Sequence, residues 1–296
     1  MGVRIKATGT SRGAGTNSIV EHSGLAARNS LAQAGIQPEQ VGVLINAGVF
    51  RDSNTVEPAV SALIQKAAGI GLDYHSKDDA RTFSFDLMNG AIGVLNAVQV
   101  ASSVLETGGV EHVLIVSGDT HPSLARSAAD AEFPYATAGA ALLLERTADA
   151  EGFGRVHTAT APGTPAVQSY VDTATMGTVG RGLMTVEREP DFADRLLGVA
   201  LEAALAALAD QDLSGLALIA STPTPEFPKL LADALGIDQD AVRTPDLSDG
   251  DPHTAALPLA YDRAVTEGTL GGFTRVLFVA AGAGPSAAAV LYQLPA

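Results

Sequence analysis

The sequence predicts an α/β protein built from two copies of one βαβαβαββ unit. Three observations lead there. Strand-like and helix-like patterns alternate along the whole chain, which is the signature of a mainly parallel sheet with crossover helices. The closing strand pair of the first half, "EHVLIVSGDT…AGAALLLERT", is answered by "TRVLFVAAGAGPSAAAVLYQL" in the second. Such self-similarity indicates duplication. One helix, opening after Gly90, is apolar on nearly every side through Ile92, Val94, Leu95, Ala97, Val98, Val100, Ala101, Val104 and Leu105. A helix of that kind belongs in the interior, between layers.

In order, the expected strands of the first half are 3–8, 41–48, 83–87, 112–118 and 140–146, rich in β-branched residues and Leu. The helices between them fall at about 19–35, 56–68 and 90–107. The second half repeats the plan with strands at 154–160, 216–221, 275–281 and 287–294. Its helices are expected near 192–210, 226–235 and 254–267. The join falls in the polar, glycine-bearing "TADAEGFG" at 147–154, giving halves 1–149 and 150–296.

Composition narrows the function. The chain has 296 residues, is 46% hydrophobic and carries a formal net charge of −15, which argues against nucleic acid or an anionic membrane as the main partner. No apolar run reaches the ~18–20 residues of a membrane span, and the N-terminus lacks a secretory pattern. A cytoplasmic protein is the default expectation. With no cysteine there can be no disulfide, no thiolate nucleophile and no Cys-bound zinc.

Several motifs tempt. "GTSRG" (9–13) fits the G-x-S-x-G nucleophile elbow, but Ser11 follows the first strand of the chain, where a hydrolase elbow would need several strands before it. "GAGPSA" (282–287) fits a dinucleotide turn, but a strand follows it rather than a helix, so a tight turn is expected. Asp246, Asp249, Asp251 and His253 gather in "DLSDGDPHTAALP" (246–258). Capping of the next helix by Asp and Thr is favoured there over metal binding. His22, His75, His112, His121 and His157 show no ligand spacing and read as surface or satisfied core histidines. No metal or other cofactor is expected.

Four segments together resemble the β-ketoacyl-ACP synthase III family of the thiolase fold. "FDLMNGAIGVLNAVQVA" is similar to its F-D-x-x-x-A-C-x-G stretch, "AGAALLL" to its A-G-A-A-V-L strand, "GDPHTAALP" to its G-N-T-S-A-A-S-x-P segment, and "GAGPSAAAVLYQL" to its closing turn and strand. The resemblance implies an αβαβα five-layered sandwich. It also implies chemistry by a Cys at the N-terminus of the buried helix, which takes an acyl group from coenzyme A or a carrier protein, assisted by His and Asn. Position by position, the Cys falls on Ala91, the His on Ser221 and the Asn on Asp251. Ala91 forms no thioester, Ser221 is a poor substitute for imidazole, and Asp251 would repel a malonyl carboxylate. The backbone at Ala91 and Gly284 would supply the oxyanion donors.

The family's coenzyme A-binding stretch near the N-terminus is missing between residues 15 and 20. The helix that docks the acidic carrier protein, commonly basic, here reads "PEFPKLLADALG" with Glu226 and Asp233 against Lys229.

Two functions remain open, with a third explanation beside them. The chain is a non-catalytic partner of an active ketosynthase-like subunit, in a heterodimer or as a homodimer, serving fatty-acid-type or polyketide biosynthesis. Alternatively it is an acyltransferase or hydrolase of altered mechanism, using Ser221, Asp251 and His253. The third explanation, an engineered Cys-to-Ala change at 91, sits badly with the simultaneous loss of His and Asn.

Overall fold

The computed structural model describes residues 2–13, 15–52, 59–71, 82–120, 135–149, 151–171, 184–209, 211–282 and 284–295. The first half supplies β1 (Gly2–Arg12), α1 (Ile19–Ala34), β2 (Val41–Asn46), α2 (Val60–Ala68), β3 (Phe83–Asp86), α3 (Gly93–Glu106), β4 (His112–Asp119) and β5 (Ala138–Thr147). The second supplies β6 (Gly152–Phe153), β7 (His157–Thr160), β8 (Val167–Val171), β9 (Met184–Arg188), α4 (Phe192–Leu208), β10 (Leu216–Ala220), α5 (Phe227–Leu235), β11 (Val242–Arg243), α6 (Ala256–Thr266), β12 (Arg275–Gly282) and β13 (Ser286–Gln293).

Sheet topology carries the duplication. One sheet runs β1-β5-β4-β2-β3. The other runs β11-β10-β12-β13, with β6 and β7 both on the far side of β13. Counting from each half's own first strand, both have the order 3-2-4-5-1. In each, the last strand is antiparallel to the fourth, while the second and third pair in parallel.

Burial sorts the helices into layers. Ala26, Ala27 and Leu31 of α1 and Ile64 of α2 pack on Leu44, Leu114 and Leu143 of the first sheet. Leu196, Ala200 and Ala203 of α4 and Leu231 of α5 pack on Leu218, Val279 and Ala289 of the second. Between the sheets lie α3 and α6, whose Val94, Leu95, Val98, Leu257 and Tyr261 share one core with Ile45, Ile115, Ile219 and Phe278. The result is the five-layered αβαβα sandwich of the thiolase fold.

Helix α3 is central but not buried all round. Gln99, Ser103 and Glu106 reach solvent, and Val100 and Val104 are only partly covered. Small residues set the spacing of layers: a Cβ on Gly139 would lie 2.6 Å from the carbonyl carbon of His22. The hairpin β8–β9 was not expected from the sequence. Its strands are polar and 12 residues apart, so no periodicity announces the pairing. "GAGPSA" is the β12–β13 hairpin turn, with Gly282 opposite Ser286. "GTSRG" is no elbow: Ser11 lies inside β1, paired with Gly139.

Candidate functional site

The turn between β3 and α3 is built by local fastenings. Asp86 ends β3 and takes hydrogen bonds from the N–H groups of Val60 (3.0 Å) and Ser61 (2.8 Å), the first residues of α2, and from Asn46 Nδ2 (2.9 Å). The aspartate of the "FD" motif is therefore a helix fastener. Gly90 has φ +53° and its carbonyl accepts from Gly93 N at 3.0 Å, which starts α3 just beyond Ala91. Only 6% of Ala91 is exposed.

Ala91, Ser221, Asp251 and His253 line a single cavity of about 40 Å³, with Tyr135, Arg188, Phe192 and Gly282 among their neighbours. The four residues come from the N-terminal end of α3, the end of β10 and the turn before α6. Gly284 is not among the lining residues. It lies exposed in the turn beyond β12, and Gly282 at the strand end takes the wall position instead, its Cβ direction 3.8 Å from Ala91 N. Space for a few waters is all that 40 Å³ offers. Small-molecule sites run from about 300 Å³ upward.

The wall is held by a residue that sequence reading did not single out. Asp119, the last residue of β4, is 0% exposed. Its Oδ1 accepts from Val49 N (2.8 Å) and Phe50 N (2.6 Å), and its Oδ2 from Thr254 N (3.1 Å), Thr254 Oγ1 (2.6 Å) and His253 Nδ1 (3.1 Å). Burial alone would raise its pKa. The His253 charge and these donors outweigh burial and hold the carboxyl below the ordinary carboxylate range. The same pairing carries His253 above its ordinary value, against the opposing effect of its own burial. A carboxylate ending an otherwise apolar strand, "HVLIVSGD", is the sequence signal that was available: a buried charge demands partners.

Asp251 behaves differently. Burial pushes its carboxyl up, against the pull of His253. Its Oδ1 accepts from Thr222 Oγ1 and from His253 N, both at 2.8 Å. Asp251 thus fastens the turn before α6 rather than capping the helix: the N-cap residue of α6 is Ala255, with no side-chain cap, and the Thr254 hydroxyl turns to Asp119. Among the described residues no cluster of His, Asp or Glu is arranged to hold a metal. The Ser221 hydroxyl accepts from Ala281 N at 3.0 Å and ties β10 to β12. The alternative of catalysis by Ser221, Asp251 and His253 would need Ser221 to pair with His253; instead Ser221 pairs with Ala281 and His253 with Asp119.

Aromatic rings complete the packing. Tyr135 lies 4.7 Å from Phe50 and 5.0 Å from His253, centroid to centroid. The Arg188 guanidinium sits 5.0 Å above the Tyr135 ring. Of the other histidines, His112 bonds the Gln40 carbonyl and approaches Glu145, while His75 and His121 fall outside the described residues.

Comparison with known proteins bears on this geometry. The family model of 3-oxoacyl-[acyl-carrier-protein] synthase III matches residues 85–162, which hold the Ala91 turn and Asp119. A β-ketoacyl-[acyl-carrier-protein] synthase III of Streptomyces lividans is 26% identical over 91% of this chain and 78% of its own. The chain is thus similar in sequence to β-ketoacyl-ACP synthase III over most of its length. An acyl-CoA:acyl-CoA alkyltransferase of Xanthomonas campestris is 32% identical over 95 residues, which are 32% of this chain and a quarter (25%) of that protein.

Solved structures agree on the fold. The priming β-ketosynthase of a polyketide biosynthetic pathway superposes with a TM-score of 0.81 at 20% identity, over 99% of this chain and 96% of its own. The 3-oxoacyl-(acyl carrier protein) synthase III of Pseudomonas aeruginosa gives 0.84 at 16% identity, over 100% and 99%. Among the described residues of this synthase III-like chain, no helix is long and apolar enough to cross a membrane.

Proposed function

We propose that this chain is a non-catalytic synthase III-like subunit that pairs with an active ketosynthase of fatty-acid-type or polyketide biosynthesis. The observation that carries this reading is the filled central cavity. The position resembling the family nucleophile is Ala91, and the 40 Å³ beside it is bounded by a buried Asp119–His253 pair and an aromatic cluster. An acyl chain has no room there. Polar groups that would serve catalysis are spent on fastening: Ser221 on a strand end, Asp251 on a turn. The alternative, hydrolysis or acyl transfer by Ser221, Asp251 and His253, draws less support, because Ser221 and His253 each engage other partners.

The pairing surface of this reading is the β3 edge. Among the described residues β3 ends its sheet and no strand pairs with its outer side, which makes that edge a template for another chain. Phe83 is 65% exposed there, and Met88 beyond it is also uncovered. The carrier-protein helix supports the same division of labour: Glu226, Lys229 and Asp233 face outward from α5, a poor match to an acidic carrier, so docking would belong to the partner.

Co-expression with ketosynthase-like chains encoded beside it tests the reading. A stoichiometric complex is expected by size-exclusion chromatography with light scattering, lost in Phe83→Lys without a change in thermal unfolding. A self-sufficient homodimer that condenses acyl-CoA with malonyl groups unaided would end the proposal.

A further inference from the structure

A second cavity, on the outer side of the first sheet, holds chemistry that the central one lacks. It measures about 430 Å³ and is lined by Ser11, Arg12, Thr16, His22, Arg28 and Leu25 among others. That volume lies within the range of small-molecule sites. None of its lining residues belongs to the central cavity, so the inference stands apart from the reading above.

The Ser11 hydroxyl lies 2.8 Å from His22 Nδ1, and His22 Nε2 lies 2.9 Å from the Thr16 carbonyl oxygen. A carbonyl only accepts, so Nε2 carries the hydrogen. Nδ1 is then the lone pair, and it receives the Ser11 O–H. Nucleophile, base and an orienting third group are thus in line, the arrangement that activates a serine. Sequence and packing explain the proximity. Ser11 pairs across the ladder with Gly139, and the missing side chain at Gly139 lets α1 settle against the sheet with His22 above Ser11. Ser11 and His22 are 8% and 3% exposed, and both face the cavity.

The walls suggest the ligand. Among the described lining residues, Arg12 and Arg28 contribute two cations against one carboxylate, Glu21, with Asp246 and Asp249 acting on Arg12 from outside the lining. Arg12 Nη2 is buried without a hydrogen-bond partner, while Arg12 Nη1 and Arg28 Nη1 donate to the carbonyls of Asp246 and Ala67. Leu25 and Ala67 provide an apolar side.

We propose that Ser11 and His22 form an esterolytic site for small esters bearing an anionic group. Ser11 Oγ bonds to the ester carbonyl carbon as its proton passes to His22 Nδ1. The bond to the leaving alkoxide breaks, and that oxygen takes the proton from His22. Water then attacks the acyl-serine, giving its proton to His22 Nδ1. The Ser11 oxygen leaves with that proton, and a carboxylic acid is released. Solvent water is the sole co-reactant.

Diisopropyl fluorophosphate added to the full chain tests the nucleophile, read by intact mass and by peptide mapping. The expected result is one adduct, on Ser11, absent in Ser11→Ala and formed about a hundredfold more slowly or less in His22→Gln, the usual contribution of a positioned base. In parallel, the mono-4-nitrophenyl ester of glutaric acid should be hydrolysed faster than 4-nitrophenyl acetate. That preference should shrink in Arg28→Gln, a position outside the proton-transfer pair. Should His22→Gln fail to fold, the wild-type adduct site and the anionic preference still decide. No adduct on Ser11, an adduct on another residue, or equal rates for the two esters would overturn the assignment.

Discussion

Two strand-to-helix connections of the first half make an instructive pair. One, between β3 and α3, resembles in sequence the stretch that leads into the buried helix of synthase III proteins. Here it presents Ala91 to a 40 Å³ space lined by His253, which Asp119 holds from behind, and by aromatic rings. The other joins β1 to α1 beside a space of 430 Å³, where Ser11 near the end of β1 is hydrogen-bonded to His22 of α1. The first turn kept its shape because the shape is structural: Asp86 anchors α2, Gly90 sets up α3, and α3 fills the centre of the molecule. The second owes its chemistry to packing, since Gly139 brings α1 against the sheet. Resemblance of a turn to an active-site motif therefore reports on fastening, and chemistry must be read from the side chains that line space.

The largest expected effect breaks the first side of this comparison. Asp119→Ala removes a buried carboxylate that takes five donors and strips His253 Nδ1 and Thr254 of their partner. A loss of about 3–5 kcal/mol in urea-induced unfolding is expected. A loss under ~1 kcal/mol would mean that the central wall is not held by this pair.

The second side is broken by Gly139→Ala. The added Cβ would meet the backbone of His22 at 2.6 Å and of Ser23 at 2.8 Å, so α1 must shift. An overpacking cost of about 1–3 kcal/mol is expected. Fluorophosphate labelling of Ser11 should fall together with stability, while the His253 environment, followed by its imidazole NMR signals, should stay as in the wild type.

The smallest effect sharpens the comparison by pH. His253 has a raised pKa in the folded protein, so its share of stability is complete below its ordinary value near 6.5 and is lost as pH rises through the folded value. Asp119 is depressed, so its share is present above the ordinary carboxylate range and is lost as pH falls through its lower folded value. Asp251 is raised, and its share is lost as pH rises above the ordinary carboxylate range. His253 faces Asp119, Asp251 and Arg188, together with the rings of Phe50 and Tyr135. The melting temperature of the wild type relative to His253→Gln should therefore decline between about pH 6.5 and alkaline pH. A flat difference would exclude the ion pair as its source.

Much of the architecture was legible because it rests on local patterning. The alternation of apolar runs predicted nine strands and six helices to within about four residues, from β1 to β13, because buried strands and amphipathic helices announce themselves through hydrophobic spacing. The convergence of Ala91, Ser221, Asp251 and His253 on one cavity was expected from the family resemblance, and the structure does bring them together. Which partner each side chain takes was not legible. Asp119 and His253 are 134 residues apart, and Ser11 meets His22 only because of a glycine on a strand 117 positions further on. No single-sequence pattern encodes such pairings. The β8–β9 hairpin and Arg188 were missed for the same reason.

His253 itself adopts φ +50°, a left-handed conformation that most side chains enter only at a cost of about 1–2 kcal/mol. Mutational drift at this position is consequently channelled: Asn and Gly can replace it without backbone penalty, whereas Val, Ile or Thr would be disfavoured before any loss of charge is counted. The routes by which descendants of this chain could abandon the histidine are set as much by torsion as by chemistry.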